Sequence, residues 1–265
     1  MLLQAMQKKI KSSNSTVNIL TPKRWVRELH INGTKAYEIG PTCDTCEFLF
    51  ESNGTAPNRD FHAYVPNELR SGLTDLTDEL TMAVSTVMPV GDYHVGLHRV
   101  FPLLVTPNEP NDYFSHEQVT LWGLNRYYGL PNYPRTKYYR TLTRPIPNKS
   151  LFFEFIVPLF PPHWLDEDVV QEYQERLIGG DQPTALAISV LDIRSPEPDF
   201  GDLTSDIDTH WCLAHYLLDG HHKVFAASQT DRPITLLSFL SVNHSIASPE
   251  QIQNVLDVVL CDKSN

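Results

Sequence analysis

The stretch that decides the fold spans residues 211–241 and reads WCLAHYLLDGHHKVFAASQTDRPITLLSFLS. Residues 212–218 are apolar enough to predict a buried strand, and residues 234–240 predict a second one. Between them, residues 222–229 suit a short helix. Gly220 is therefore predicted at a tight strand-to-helix turn, where the missing Cβ lets the backbone approach another group closely.

The turn Asp219-Gly220-His221-His222-Lys223 has the chemistry of an anion site. The first N–H groups of a helix have no internal partner, and the helix dipole adds partial positive charge there. Two imidazoles and an ammonium at that end, beside the Gly220 backbone, predict a phosphate site. His221 and His222 would bind phosphate or act as general acid and base, and Asp219 would orient a histidine or hold Mg²⁺. The alternative is an ordinary turn, with Asp219 as helix cap and exposed histidines.

This pattern resembles the ParB/sulfiredoxin superfamily. The apolar strand, the Asp219–Lys223 turn, a helix carrying Ala226-Ala227, and Arg232-Pro233-Ile234 opening a strand match the family's Gly-rich basic turn, which contacts nucleotide phosphates. Residues 165–170, the glycines at 179–180 and the apolar run to residue 190 resemble the elements before that turn. The resemblance covers residues 149–265 at most.

The departures from the family limit what the resemblance implies. Sulfiredoxins carry a catalytic cysteine where this chain has His221, and arginine is usual where it has Lys223, so sulfinic-acid reduction is not expected. The glutamate-arginine-arginine signature of ParB proteins is absent, so CTP gating and DNA clamping do not carry over. The resemblance then implies a phosphate-binding scaffold, as in the kinase-like branch of the superfamily.

Charge is distributed unevenly along the 265 residues, whose net charge is −11. Residues 1–147 hold 15 Lys and Arg against 14 Asp and Glu, whereas residues 148–265 hold 6 against 18. An acidic C-terminal half disfavours nucleic acid as a partner. No apolar run approaches the roughly 20 residues of a membrane span. Residues 1–13 place a very short apolar stretch before the lysines, whereas a signal peptide places its basic residues before its apolar stretch. This segment is therefore predicted to be a frayed tail or a docking helix. We expect a cytoplasmic protein.

The spacing of apolar residues, and the Asn, Gly and Pro residues that separate the apolar stretches, predict an α+β protein with a mixed sheet and helices. The protein is predicted to be divided into two lobes. Residues 1–147 are predicted as a β-rich N-terminal accessory lobe, and residues 148–265 as the ParB/sulfiredoxin-like lobe, with the order β-α-β-β-α-β. Strands are predicted at 17–20, 36–39, 48–50, 62–65, 93–105, 151–159 and 185–193. Helices are predicted at 73–88, 165–178 and 249–260, and a loop-rich segment at 106–148.

Two further groups of residues are candidates for binding a metal or a ligand. Cys43 and Cys46 have the spacing of two zinc ligands, to which His30 or His62 would add a third; redox chemistry and two ordinary thiols are the alternatives. The four cysteines give no disulfide framework. Residues 124–149 hold six basic residues, five tyrosines and no acidic residue.

The tyrosines and guanidinium groups of residues 124–149 can bind a base or an acidic peptide. Alternatively, the segment is an extended loop packed on the acidic lobe. It would then place Arg135, Lys137 or Arg140 over the Gly220 turn as an anion clamp.

These observations predict binding of a nucleotide or another phosphorylated small molecule, with Mg²⁺, at the Asp219–Lys223 turn. The activity would be that of a nucleotide-dependent phosphotransferase or hydrolase. The competing hypothesis is a non-catalytic interaction or accessory protein that retains the scaffold. A protein partner or a homo-oligomer is compatible with both.

Overall fold

The computed structural model describes residues 1–13, 15–23, 25–52, 67–132, 134, 136–197 and 206–259. The strands are β1 (Leu2–Ile10), β2 (Val17–Lys23), β3 (Val26–Ile31), β4 (Thr34–Pro41), β5 (Glu51–Ser52), β6 (Gly91–Val100), β7 (Leu103–Val105), β8 (Tyr138–Ile146), β9 (Ser150–Pro158), β10 (Thr184–Arg194), β11 (Thr209–Asp219) and β12 (Ile234–Ser241). The helices are α1 (Glu68–Ser71), α2 (Asp78–Ser85), α3 (Glu117–Trp122), α4 (Glu167–Ile178), α5 (His221–Thr230) and α6 (Pro249–Asn254), with a 3₁₀ turn at Pro162–Trp164 and a π-helical turn at Val255–Val259.

An eight-stranded mixed sheet dominates the fold, in the order β1-β6-β12-β10-β11-β9-β8-β7. The pairs β10–β12 and β11–β9 are parallel, and the other neighbouring strands run antiparallel. Strands β2 to β5 form a second sheet in sequence order. The predicted α+β class is confirmed. So is the order β-α-β-β-α-β, which β9, α4, β10, β11, α5 and β12 realise.

Strand pairing continues across the predicted boundary between residues 147 and 148. That boundary falls in the turn joining β8 to β9, which pair as an antiparallel hairpin with Ile146 opposite Ser150. Strands β1, β6, β7 and β8 precede the boundary, and β9 to β12 follow it, yet all eight belong to one sheet. The segment predicted as an accessory lobe therefore supplies both edges of the sheet.

Several local predictions differ from the structure. Residues 2–10 are an edge strand paired with β6, so the tail or docking helix predicted there is wrong. The loop-rich segment contains α3 and β8, and the helix predicted at 73–88 is limited to α2, where Thr77 caps the first turn. Phe48 and Phe50 are buried core residues that precede the short β5. The strand predicted at 62–65 lies outside the described residues.

The two faces of the large sheet are covered differently. The small sheet packs on one face, where Leu29 and Ile39 join a core with Ile188 and Phe239. On the opposite face α4 and α5 cover one apolar cluster and α6 covers a second one. No helix in the described part of the chain is long and apolar enough to cross a membrane.

A buried ionic triad ties the two sheets together. Arg27 of β3 donates two hydrogen bonds to Asp192 of β10, at 3.0 and 2.6 Å, and Arg194 donates a third at 2.6 Å. Burial alone would raise the pKa of Asp192, but the two guanidinium charges outweigh it and lower that pKa. Arg27 Nη1 and Nη2 also donate to the carbonyls of His244 and Ile39, at 2.7 and 2.9 Å, whereas its buried Nε has no hydrogen-bond partner among the described residues. Two guanidinium groups against one carboxylate leave net positive charge at this junction.

Candidate functional site

Gly220 occupies the strand-to-helix turn that the sequence predicts. It is the N-cap residue of α5, with φ at +93°. A Cβ at this position would lie 2.7 Å from Cβ of Ala185 on β10. Both the left-handed backbone and the close approach therefore require glycine. The close approach is to a neighbouring strand of the same protein.

His221 is turned into the protein core rather than towards an open site. Its side chain is 6% exposed, and its Nε2 accepts a hydrogen bond of 3.0 Å from the N–H of Leu159. The ring stacks on Phe160, with centroids 3.7 Å apart. Burial, with a smaller effect from His222, lowers the pKa of His221 to about 3. This imidazole is neutral at physiological pH, and its acceptor nitrogen is already occupied.

Lys223 and His222 also have internal partners. The buried Lys223 ammonium donates to the Thr184 carbonyl at 2.8 Å and to Asp219 Oδ2 at 2.9 Å, and burial lowers its pKa. The half-buried His222 accepts from the N–H of Asp166 at 3.1 Å. Phosphate binding at this turn remains a prediction, and it would require these contacts to open.

Arg140 lies on β8 and has partners of its own. It donates to Glu117 at 2.7 Å and to the carbonyl of Asn111 at 3.0 Å, and its guanidinium lies 5.7 Å from the Phe153 ring centroid. Among the described contacts of Arg140, none joins it to the Asp219–Lys223 turn. Lys137 is exposed, and Arg135 lies outside the described residues. The described contacts of Arg140 therefore do not support a clamp by this residue in this conformation, and a clamp by Arg135 or Lys137 stays a prediction.

Cys43 and Cys46 form a disulfide. The sequence predicts no disulfide framework, and this single bond closes a small ring between cysteines three residues apart; the alternative of two ordinary thiols is not what the structure shows. Thiolates bind zinc and disulfide sulfurs do not, so zinc at this pair stays a prediction for the reduced protein only. His30 is held by Glu28, His62 lies outside the described residues, and the described part of the chain contains no group of three or more metal ligands.

The loop that carries this disulfide, residues 43–46, is held by its backbone carbonyls. Arg194 donates to the carbonyls of Cys43 and Cys46, at 2.8 and 3.2 Å. The backbone N–H of Ser195 donates to Asp44 O at 3.0 Å, and the indole N–H of Trp122 donates to Thr45 O at 3.1 Å. All four carbonyls of this disulfide loop therefore have partners elsewhere in the chain. The sequence gives no signal for the partners, because they come from β10, α3 and the residue that follows β10.

A cavity of about 560 Å³ opens beside the disulfide loop. Its lining combines apolar, polar and charged groups: Pro41, Thr45, Cys46, Glu47, Leu49, Trp122, Arg126, Asn132, Pro196 and Glu197. Asn132 donates a hydrogen bond to Glu47 across it. At its rim, residues 124–130 form what we name the tyrosine segment, in which Tyr127 is 91% and Tyr128 79% exposed.

A third group of polar residues, unmarked by any sequence motif, crosses the helical face of the large sheet. Glu154 Oε1 lies 3.2 Å from His215 Nε2, and His215 Nδ1 lies 2.7 Å from Ser189 Oγ. His98 and Ser238 continue the row at 2.7 Å. Burial lowers the pKa of His98 to about 3; burial would raise that of Glu154, but the His215 hydrogen bond and charge lower it to about 2.

This polar row separates the two apolar clusters of the helical face. All five of its residues are buried, between the cluster under α4 and α5 and the cluster under α6. The sequence of contacts from Ser189 to His215 to Glu154 resembles a serine–histidine–carboxylate relay. However, all side chains of the row are buried, so none is open to a substrate. In this conformation the row pairs buried polar groups across five strands, and His98 Nδ1 is the atom of the row that lacks a hydrogen-bond partner in the described part of the chain.

Comparison of the chain with protein-family models, with curated proteins and with solved structures finds no match. The resemblance to the ParB/sulfiredoxin superfamily therefore stays a prediction. The exposed tyrosine segment lies beside the cavity at the disulfide loop, and a second cavity, of about 690 Å³, is lined mainly by residues of α4.

Proposed function

We propose that the chain is a non-catalytic interaction protein that binds an acidic segment of a partner protein at the cavity and the tyrosine segment. The observation that carries this proposal is the exposure of four large apolar side chains within seven residues. They are Leu124, Tyr127, Tyr128 and Leu130, exposed by 48, 91, 79 and 54%. Single exposed apolar residues are ordinary, whereas a contiguous group is typical of an interaction site.

The chemistry of the tyrosine segment suits protein recognition. Tyrosine is enriched in interface hot spots because it offers a large rigid surface and a hydroxyl group. Asn125 accepts hydrogen bonds from the N–H groups of Tyr127 and Tyr128, at 3.0 and 3.3 Å. These hydrogen bonds hold the turn that carries both tyrosine rings. Binding a partner therefore requires a smaller loss of conformational entropy in this turn.

Charge favours an acidic partner at this surface. Residues 124–149 carry six basic side chains and no acidic one, although the whole chain has a net charge of −11. Arg126 lines the cavity next to the exposed tyrosines. Of the cavity's two glutamates, Glu47 already accepts from Asn132. Within the tyrosine segment, residues 124–130, Arg126 is the single charged side chain, so the segment is an aromatic surface with positive charge on an acidic protein, and complementary charge would select and orient the partner.

An array of synthetic peptides that differ in net charge and aromatic content tests the proposal. We expect the chain to bind acidic peptides in preference to basic ones, and more weakly at high salt because exposed charges are screened. The variant Tyr127→Ala/Tyr128→Ala should lose this binding. Phe101→Ala is the matched control, because Phe101 is 55% exposed but lies outside the segment.

Three outcomes would overturn the proposal. The first is equal binding of acidic and basic peptides, and the second is full binding by the Tyr127→Ala/Tyr128→Ala variant. The third is a concentration-dependent dimer that this variant abolishes, since the segment would then bind a second copy of the chain. A parallel titration with ATP, ADP, CTP and GTP plus magnesium tests the phosphate hypothesis independently. Binding that is sensitive to His222→Ala would support the phosphate site, and hydrolysis or phosphoryl transfer would support an enzyme.

A further inference from the structure

We propose that Cys43 and Cys46 form a thiol–disulfide exchange site for a low-molecular-weight thiol. The proposal goes beyond the proposed partner binding and does not depend on it. Both cysteines are partly exposed, and Cys46 lines the cavity of about 560 Å³, so a small thiol has a route to this sulfur. The remaining cysteine of the described chain, Cys212, is buried and has no such access.

The loop is built to hold its shape in both oxidation states. Its four carbonyls are bonded to Arg194, Ser195 and Trp122, and none of these bonds involves a sulfur atom. Arg194 is itself fixed by Asp192 inside the buried triad. Breaking the S–S bond therefore leaves the backbone frame intact, so the two thiols stay close enough to pair again.

The surroundings of the two sulfurs differ. Cys46 faces the cavity, whereas Cys43 Sγ lies 3.8 Å from the hydroxyl oxygen of Thr45. The Arg194 guanidinium donates to the carbonyls of both cysteines, so the net positive charge of the triad lies near both, and the Thr45 hydroxyl is the contact that distinguishes Cys43. A thiolate at Cys43 would accept the Thr45 hydroxyl hydrogen and would be stabilised by this charge. The geometry points to attack at Cys46 with Cys43 as the leaving group.

In the first step an external thiolate attacks Cys46 Sγ. A bond forms between the external sulfur and Cys46, the Cys43–Cys46 bond breaks, and its electron pair leaves on Cys43 as a thiolate. A second external thiolate then attacks the sulfur of the first external thiol. This step releases an external disulfide and leaves Cys43 and Cys46 as a dithiol. Two external thiols are oxidised, one protein disulfide is reduced, and the reverse sequence restores it.

Trapping with glutathione tests the assignment in the 265-residue chain carrying Cys261→Ser. We expect the wild-type pair to be reduced and reoxidised by glutathione buffers while circular dichroism stays native. The variant Cys43→Ser should form a mixed disulfide with oxidised glutathione at Cys46, detected by mass spectrometry, much faster than Cys46→Ser does at Cys43. Cys212 should stay unmodified and serves as the internal control.

Thr45→Val probes the positioning role of its hydroxyl. In the reduced protein it should raise the thiol pKa of Cys43, measured from the pH dependence of alkylation, and slow exchange by about tenfold, the effect of losing one hydrogen bond to an ionised group. Thr45→Ser keeps the hydroxyl and should therefore retain the wild-type thiol pKa of Cys43 and the wild-type exchange rate. Exchange only in denaturant, loss of native structure on reduction, or equal trapping at both cysteines would each overturn the proposal.

Discussion

Gly220 meets two constraints that act on one residue. Its backbone is left-handed, with φ at +93°, and its missing Cβ leaves room for Ala185 on the adjacent strand. Gly180 shares the first constraint, with φ at +100°, but a Cβ there would meet no atom within 4 Å. Comparing the two glycines separates backbone strain from crowding.

Gly220→Ala should therefore destabilise the protein more than Gly180→Ala. We expect a loss of about 1 kcal/mol for Gly180→Ala, from the backbone alone, and roughly 2–4 kcal/mol for Gly220→Ala, because overpacking adds to it. Urea unfolding monitored by circular dichroism measures both. Equal losses would mean that the contact with Ala185 relaxes without cost.

Lys223 is expected to stabilise the fold rather than to serve a ligand. Lys223→Met keeps the aliphatic stem but removes the donor to Thr184 and Asp219, which leaves those acceptors with one fewer partner. We expect a loss of about 1–3 kcal/mol in the free energy of unfolding. Lys9→Met, at an exposed ion pair, should change it by less than about 0.5 kcal/mol. Unchanged stability with lost nucleotide binding would favour the phosphate hypothesis instead.

At the scale of elements, the Arg27–Asp192–Arg194 triad is the connection between the two sheets that we expect to be most sensitive. Asp192→Asn removes the only carboxylate of the triad and leaves two buried guanidinium groups without a counter-charge. We expect a loss of roughly 3–5 kcal/mol, as for other broken buried pairs. Asp181→Asn, at the exposed pair with Arg176, should cost less than about 1 kcal/mol.

Differential scanning calorimetry of the two variants distinguishes the roles. If Asp192→Asn splits the transition into two, the sheets unfold separately once the triad is broken. A single transition at a lower temperature means that apolar contacts between the sheets suffice to keep unfolding cooperative. A stability loss no larger than that of Asp181→Asn would contradict the importance we assign to the triad.

The sequence predicted some elements far better than others, for physical reasons. Strands β9 to β12 and helices α4 and α5 were found within about three residues, because long buried runs and clear helical periodicity mark them. The sequence does not predict strand β1, because a very short apolar stretch followed by lysines lacks the alternation of a strand, and it does not predict β8, because charges and prolines obscure the strand pattern. Neither the edge position of β1 nor its pairing with β6 can be deduced from the residues of β1 and their neighbours in the sequence.

The candidate site was less predictable, because residue type does not report exposure. His221 and Lys223 have the chemistry of phosphate ligands, yet tertiary contacts with Leu159 and Thr184 bury them. The spacing of Cys43 and Cys46 suggested a metal or redox pair, and the structure joins them as a disulfide. The tyrosines at 127 and 128 were recognised as chemically distinct, but their exposure beside a cavity depends on α3 and β10.

For the whole molecule, buried histidines make stability depend on pH. Burial lowers the pKa of His98, His210 and His221 to about 3 in each case. The unfolded chain binds protons to these imidazoles near the ordinary value of about 6.5, whereas the folded chain does not. Their contribution to stability is therefore full above that value and is lost as the pH falls towards 3. Glu154, with a pKa near 2, acts in the same direction below about 4.5.

We expect the urea midpoint to fall steeply between pH 6.5 and 4. Each of the three histidines should contribute about 2 kcal/mol of destabilisation by pH 5, since one pKa unit is worth about 1.4 kcal/mol. His221→Gln, which retains an acceptor for Leu159, should flatten this dependence relative to wild type. His116→Gln, at an exposed position, should leave it unchanged. Equal slopes for all three proteins would show that His221 does not bind its proton on unfolding.

The strand order has a consequence for biosynthesis. Strand β12 lies between β6 and β10, so the last of the described strands to be synthesised fills the gap between two parts of the sheet. Until residues 234–241 are available, β6 and β10 each present an open row of backbone N–H and C=O groups. Incomplete chains would therefore expose two unpaired, aggregation-prone sheet edges at once. Translation pauses before this point should favour aggregation, and chaperone dependence should end once β12 is inserted.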